Sequence, residues 1–465
     1  MNTTKIGSHV DERPRITVVG TGYLGATHAV CMAALGHDVL GVDVDAPKIE
    51  QLAAGEVPFF EPGLPEKLRE AVESGRLRFT SSFDEAAEFG DVHFVCVGTP
   101  QAPDSDAADL QYVRRAFVEL ASRIDHRSLL VGKSTVPVGT AAQLEELVHD
   151  SSPVGDELEL AWNPEFLREG FAVEDTLHPD RLVFGVSSEW AEATLRLVFR
   201  PILELGTPAV VADLATAELV KVAANAFLAT KISYINAMSE VCEATGADVN
   251  VLADALSFDD RIGGRFLKPG LGFGGGCLPK DIRAFRYRAQ ELGVGQAVAF
   301  LDEVDAINLR RRARTVDLVR ELAGGDLDGV VIAALGAAFK PNSDDVRDAP
   351  ALDVARMLYL EGGVVRVYDP EATANAHKVY PDLEYVESLQ DAVRGAEVMV
   401  LLTEWDEFRD AEPNDIGQLM ATRRVVDARH ALDSEAYRSA GWMYRALGQP
   451  STNAREHFRP TLSAT

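Results

Sequence analysis

The sequence predicts an α/β protein in which two doubly wound domains are joined by one long central helix. Three observations carry that expectation. Apolar strand-like runs alternate with helical stretches near the N-terminus, and the same alternation returns from about Leu327 onward. Between the two, an unbroken helical pattern runs from Leu214 to Thr245. Alternation of this kind implies parallel sheets, whose ligand sites lie beyond the carboxyl ends of strands.

In chain order, Arg15–Val19 reads as a strand and is followed at once by Gly20-Thr-Gly22-Tyr23-Leu24-Gly25 and a helix that Gly36 stops. Val39–Asp43 is a second strand ending in an acid, and Val92–Val97 and Leu129–Gly132 each end in a polar turn. Glu157–Trp162 is a further strand-like run. In the central stretch Leu219, Val222, Ala223, Ala226, Phe227, Thr230, Ile235 and Met238 recur at helical spacing, which predicts a largely buried helix with Gly246 as its stop. Helices in this position commonly pair two subunits, so a homodimer or higher homo-oligomer is expected; an internal connecting helix is the equal alternative. The second unit comprises strands Gly329–Leu335, Val364–Asp369, Val398–Thr403 and Val425–Arg429, with a helix through Val354–Leu360.

Lys plus Arg number 45 against 73 Asp plus Glu, a net charge of −28 that argues against nucleic acid or an anionic membrane as partner. Met1–Pro14 lacks the apolar core of a signal peptide, and no stretch approaches the roughly 18 apolar residues of a membrane span. Cys31, Cys96, Cys242 and Cys277 are scattered, without a CxxC pair or histidine cluster. No zinc site or disulfide framework is expected, and a reducing cytoplasm fits.

The glycine motif is weak evidence alone. Here it follows a strand, opens a helix and has an acid, Asp43, 23 residues after Gly20. Gly20 makes the tight turn, Gly22 lets backbone approach a pyrophosphate, Gly25 lets helix and strand pack, and Asp43 takes the ribose hydroxyls. The expected cofactor is NAD rather than NADP, with Lys48 close enough to soften the discrimination. The second unit has a single glycine in Gly336-Ala-Ala-Phe339, so a second dinucleotide is not expected.

Five glycines from Gly270 to Gly276 lead into Cys277-Leu-Pro-Lys280-Asp281. We find no core-packing reason for them in the sequence and read a backbone able to wrap a ligand. Those amides, a helix start after Pro279 and Lys280 all favour thiolate at Cys277, whereas Cys31, Cys96 and Cys242 lie in apolar patterns. An NAD enzyme with an activated cysteine points to aldehyde-level chemistry through a thioester. Lys221 and Asn225, four apart on one helix face, are candidate oxyanion donors; a lysine in so apolar a stretch needs a partner or a role. Glu165, in Trp162-Asn-Pro-Glu165-Phe-Leu-Arg-Glu169, is a candidate water base, and position does not separate it from Glu169.

Together these segments resemble the UDP-glucose/GDP-mannose dehydrogenase family. The resemblance also takes in Phe60-Glu-Pro-Gly63, Val97-Gly-Thr99-Pro100, Lys133-Ser-Thr135-Val-Pro137, Phe339-Lys340-Pro-Asn342 with Arg347, and Thr403-Glu-Trp-Asp-Glu-Phe408, in family order from about Arg15 to Leu432. It implies two Rossmann-like domains. The expected division is an NAD-binding domain over 1–205, a central helical domain over 206–315, a nucleotide-sugar-binding domain over 316–450 and a tail over 451–465. The implied reaction is the four-electron oxidation of UDP-glucose to UDP-glucuronate with two NAD⁺ and water. Cys277 is then the nucleophile, Lys221 and Asn225 steady the oxyanion, Glu165 and Asp281 handle water, and Thr135 lies near the reacting carbon.

The resemblance adds Tyr23, Leu24, Thr99, Thr135, Glu169, Lys280 and Arg347 to the cofactor contacts. To the substrate it assigns Lys221, Asn225, Glu165, Phe166, Leu167, Arg168 and Glu169, then Arg261, Phe266, Leu267, Lys268, Pro269, Gly270, Gly274 and Lys340, with Arg429 meeting the uridine diphosphate; in a chain of net charge −28 a diphosphate needs local cations, and Arg261, Lys340 and Arg429 are the candidates. Gly276, Ala428 and His430 depart from the common Ser, Gly and Asn. The same chemistry on GDP-mannose or a UDP-N-acetylaminosugar is the nearest alternative. A two-electron hydroxyacid-type dehydrogenase would need no nucleophilic cysteine, and a non-catalytic NAD-binding regulator would turn nothing over.

Overall fold

The computed structural model describes residues 13–449. The expectations for most of the N-terminal extension and for the 451–465 tail therefore lie outside the described residues. Between Ala223 and Ala224 the chain divides into two compact units.

The first unit is built on β1 (Ile16–Val19), β2 (Val39–Val42), β3 (Leu77–Thr80), β4 (Val92–Val95), β5 (Ser128–Gly132), β6 (Leu158–Trp162), β7 (Leu182–Val186) and β8 (Ala209–Ala212). They form one sheet in the order β3-β2-β1-β4-β5-β6-β7-β8. The inner strands are buried along their whole length, as in a doubly wound sheet with both faces covered. One expectation needs correction: the sheet is not wholly parallel, since β7 runs antiparallel to β6. Its strand order reverses at β1, where β2 lies on one side and β4 on the other. That reversal opens the crevice in which doubly wound sheets bind ligands.

The second unit carries β9 (Val331–Leu335), β10 (Val364–Tyr368), β11 (Glu384–Tyr385), β12 (Val398–Leu401), β13 (Arg424–Asp427) and β14 (Met443–Ala446). All pair parallel in the order β11-β10-β9-β12-β13-β14, the same winding as the first six strands of the first sheet.

The central helix runs from Leu214 to Thr245 as the spacing predicts, and Gly246, at φ +79°, ends it. It is not largely buried, however. Leu219, Phe227, Tyr234 and Val241 are exposed, Phe227 by 66%. Helical period marks an apolar stripe but does not say what covers it. At its start Glu218 is buried and accepts hydrogen bonds from the Gly139 and Ala141 amides (2.7 and 2.6 Å), capping the helix Thr140–Ser151 that follows the Lys133–Pro137 turn. Among the described residues no helix is long and apolar enough to cross a membrane.

Candidate active site

At the crevice of the first sheet, Gly20 has φ +88° and lies against Val97. A Cβ on Gly25 would stand 1.8 Å from the Gly20 carbonyl oxygen, so that position admits no side chain. Gly22 faces open space. The helix Tyr23–Ala34 begins with no side-chain cap and no acid in its first turn, which leaves its amides and positive dipole end available to an anion.

The Asp43 carboxylate accepts from the Thr21 amide (2.8 Å) and from Lys48 Nζ (3.0 Å). Burial pushes its pKa up, but the Asp45 and Thr21 amides and the Lys48 ammonium more than offset this and hold it below the ordinary value. These residues fit a dinucleotide. A buried Glu61 accepts from the Gly170 and Ala172 amides (2.6 and 2.7 Å) and from the Tyr23 hydroxyl, tying the loop after β6 to the fingerprint helix. Thr99 Oγ1 donates to the Thr135 carbonyl (2.8 Å), joining the turns after β4 and β5.

The turns after β5 and β6 carry the next cluster. Glu165 pairs with Lys221 Nζ at 2.8 Å, with Lys221 only 5% exposed. Glu169 is buried on the Tyr23 side. The pair with Glu165 gives Lys221 the partner that its apolar setting demands. Lys221 lies 5.6 Å from the Phe166 ring centre and Arg181 3.9 Å from it. Leu167 donates its amide to Glu165 at 2.8 Å, whereas the Arg168 guanidinium is held by Asp175.

In the second unit Cys277 immediately precedes the helix Leu278–Glu291 and is exposed. Cys31, Cys96 and Cys242 are buried, and burial pushes the Cys31 and Cys96 thiols up to about 12, which disfavours thiolate. Asp281, on the first turn of that helix, accepts from Asn225 Nδ2 at 2.7 Å and from Lys280 Nζ at 2.8 Å. Lys280 is thus committed to the Asp281 carboxylate, which tempers its expected action on the thiol.

The glycine loop requires a second correction, because its glycines do have a packing reason. Added Cβ atoms would meet Asn308 at Gly272 (2.2 Å), the Asp348 carbonyl at Gly274 (2.3 Å) and Phe339 at Gly275 (2.8 Å). Asn308 also clasps Phe273 through both its amide and its carbonyl (2.8 and 2.9 Å). At Gly276 the neighbour is the flexible guanidinium of Arg347, 2.2 Å from an added Cβ.

The remaining candidates fall in three places. Arg261 is 89% exposed in its side chain and pairs with Asp259, while Phe266 adopts φ +64° and Lys268 is exposed. Leu267, Pro269 and Gly270 are buried, with the Gly270 amide on Asn236 Oδ1 at 2.9 Å. Arg347 clamps Asp345, and Lys340 lies 5.2 Å from the Phe339 ring centre. Arg429 is partly buried and donates to the carbonyls of Leu402, Gly272 and Phe339 (2.6, 3.0 and 3.2 Å), beside Glu404. Among the described residues no cluster of His, Cys, Asp or Glu is placed to hold a metal.

Comparison with known proteins gives this arrangement its family. Three family descriptions match in succession: the NAD-binding domain at residues 14–203, the central domain at 215–310 and the UDP-binding domain at 333–434. The chain belongs to the UDP-glucose/GDP-mannose dehydrogenase family. Among relatives within it, the UDP-glucose 6-dehydrogenase of Rhizobium meliloti is 40% identical over 94% of this chain and 100% of its own length. The solved UDP-glucose dehydrogenase of Pyrobaculum islandicum is 37% identical, covers 96% of this chain and 100% of its own, and superposes with a TM-score of 0.87. A solved UDP-D-ManNAc dehydrogenase of Pyrococcus horikoshii is 26% identical, with coverages of 94% and 99% and a TM-score of 0.82.

Glu61 and Lys133 lie within motifs whose pattern gives them no role, and Glu218, Asn236 and Asn308 carry no local signal of the contacts they make. Lys133 carried a usable signal: a lysine at the end of an apolar strand raises the same question of a partner as Lys221.

Proposed function

We propose that this chain oxidises the C6 hydroxyl of UDP-glucose to a carboxylate, taking UDP-glucose, water and two NAD⁺ to UDP-glucuronate and two NADH. The observation that carries the reading is Cys277, exposed at a helix start in a glycine loop, while the other three cysteines are buried. The sugar rests on the relatives named UDP-glucose 6-dehydrogenase, at 37–40% identity. The cofactor rests on the open Gly22 position, the uncapped helix start and Asp43.

NAD⁺, when bound, supplies the hydride acceptor at each oxidation. Loss of a proton and a hydride from C6 gives an aldehyde that stays bound. The Cys277 thiolate adds to its carbonyl carbon, and the resulting alkoxide is steadied by Lys221 and Asn225. A second hydride leaves carbon and a thioester remains. Glu165, with Asp281, takes a proton from water as its oxygen attacks the thioester; the C–S bond breaks and Cys277 is restored. Thr135 sits at the turn beside the reacting carbon. Tyr23, Leu24, Lys48, Thr99, Glu169, Lys280 and Arg347 serve the cofactor, and Phe166–Glu169, Arg261, Phe266–Gly270, Gly274, Lys340 and Arg429 serve the substrate.

The working division is NAD-binding, central and nucleotide-sugar-binding domains over 1–205, 206–315 and 316–450. The apolar Phe227, Tyr234 and Val241 on the central helix suit pairing with a second copy, and the enzyme acts in the cytoplasm. The deciding experiment counts NADH released per limiting UDP-glucose, with GDP-mannose and UDP-N-acetylglucosamine alongside. Two per UDP-glucose is expected. One would stop the reaction at the aldehyde, and two with a companion sugar alone would move the substrate.

A further inference from the structure

A run of glycines restrains itself poorly, so whatever aims Cys277 has to act on its loop from outside. At Phe273 that is Asn308. Closer to the thiol, the restraint comes from two consecutive residues in the turn before the helix Pro350–Leu360. The Gly275 amide donates to the Arg347 carbonyl at 2.9 Å, and the Asp348 carbonyl packs on Gly274 so closely that an added Cβ would stand 2.3 Å from its oxygen. Asp348 presents this carbonyl with φ at +46°, in the left-handed region. Aspartate tolerates that conformation better than most residues, yet it is unfavourable and persists where the surroundings impose it.

Two arginines impose it. One oxygen of the Asp348 carboxylate accepts from Arg312 at 3.0 Å and the other from Arg283 at 3.1 Å. Arg312 lies on the helix Phe300–Ala323, its side chain 6% exposed, and also pairs with Asp353. Arg283 lies on the helix Leu278–Glu291, which starts directly after Cys277, and also pairs with Asp305 at 3.3 Å. Asp348 thus grips both flanks of the thiol: the glycine run before it through backbone, and the helix after it through Arg283. Neither Asp348 nor Arg283 has a part in the proposed chemistry.

Thioester formation depends on where the sulfur points. Addition needs Sγ aligned with the aldehyde carbon, and a misplacement of about 1 Å can slow a step about a hundredfold. Hydride transfer to or from C6 does not involve the sulfur.

We propose that Asp348 is a positioning residue for Cys277: by fixing the glycine run on one side of the thiol and the helix on the other, it sets the aim of the nucleophile. The proposal rests on Cys277 acting as that nucleophile.

The test uses the UDP-glucose 6-aldehyde, which the enzyme can convert in either direction. With NAD⁺ and water it gives the acid, NADH and a proton, by way of Cys277. With NADH and a proton it gives the alcohol and NAD⁺, without the thiol. In Asp348→Ala the oxidation is expected to slow by about thirtyfold and the reduction by less than about threefold. Both rates come from one preparation, so their ratio does not depend on how much of it is folded. Asp348→Asn keeps the left-handed turn and weakens both pairs, and Arg283→Met cuts the tie to the helix alone; each should show the same selectivity at about fivefold.

An equal fall in both directions means a general structural role and overturns the proposal, as does an unchanged rate of oxidation. Should Asp348→Ala fail to fold, Asp348→Asn decides on the same terms. Cys277→Ser separates this proposal from the reading beneath it. If that variant still oxidises the aldehyde, the nucleophile assignment falls and the proposal with it. If it does not, while the Asp348 variants oxidise at the wild-type rate, only the role of Asp348 falls.

Discussion

The two doubly wound sheets share a strand order but treat the acid after their second strand in opposite ways. In the first, Asp43 follows β2, meets the glycine turn through Thr21 and leaves the Gly22 position open. In the second, Asp369 follows β10 and is 2% exposed. One of its oxygens accepts from the Ala337 and Ala338 amides (2.7 and 2.9 Å) and from Trp405 Nε1 (3.1 Å). The other accepts from the Glu371 and Ala372 amides (3.0 and 2.8 Å). The turn after β9 thus has its amides satisfied by a carboxylate of its own chain, in the place where a dinucleotide sheet offers them to a pyrophosphate. Strand order therefore sets where a ligand site lies, and the turn chemistry sets whether a dinucleotide can use it.

The sharpest separation of cofactor from chemistry is expected at Cys277. Changing it to Ser should lower kcat by about a thousandfold or more while NAD⁺ affinity, measured by titration, stays within about twofold. An active serine variant would sink the thioester route. Next in size is Gly25→Ala, whose Cβ would fall 1.8 Å from the Gly20 carbonyl. NAD⁺ binding should weaken by about a hundredfold or the first unit should fail to fold, and unchanged binding would break the assignment of the first turn.

Asp369→Asn probes the other sheet. It leaves buried amides facing a poorer acceptor and should cost about 2–3 kcal/mol in thermal or urea unfolding, with NAD⁺ affinity unchanged. A loss of NAD⁺ binding there would erase the distinction between the sheets. The smallest effect is expected from Asp43→Ala, which should relax the preference for NAD⁺ over NADP⁺ by about tenfold in kcat/KM, or about 1.4 kcal/mol. Unchanged discrimination would refute the ribose assignment.

Much of this fold was legible because its signals are local. Apolar runs ending in turns marked the inner strands to within about two residues, and the central helix ran from Leu214 to Thr245 as read. The antiparallel β6–β7 pair was not legible, because a run of apolar residues carries no record of the direction of its neighbour. The exposure of Phe227 was missed for a related reason: helical period reports a stripe, and its cover lies elsewhere in the molecule. At the candidate site, Cys277 and its loop were conspicuous in sequence. The packing of Gly272, Gly274 and Gly275 against Asn308, Asp348 and Phe339 was not, since those neighbours lie more than 30 residues away in the chain.

By itself, then, the sequence determined which residues are chemically able: a glycine turn before a helix, an acid at a strand end, a cysteine among glycines and a lysine in an apolar helix. These follow from short-range backbone conformation and from the expense of burying a charge, both of which act within a few residues. Only the tertiary structure decided which carboxylate each cation meets. Glu165 pairs with Lys221, and Lys133 reaches not a carboxylate but the Asn163 amide oxygen. Asp369 closes its own turn, whereas Asp43 leaves Gly22 open. The physical reason is common to all of them: ion pairs and hydrogen bonds form across a few ångströms of space, and the distance between their partners along the chain is set by the fold.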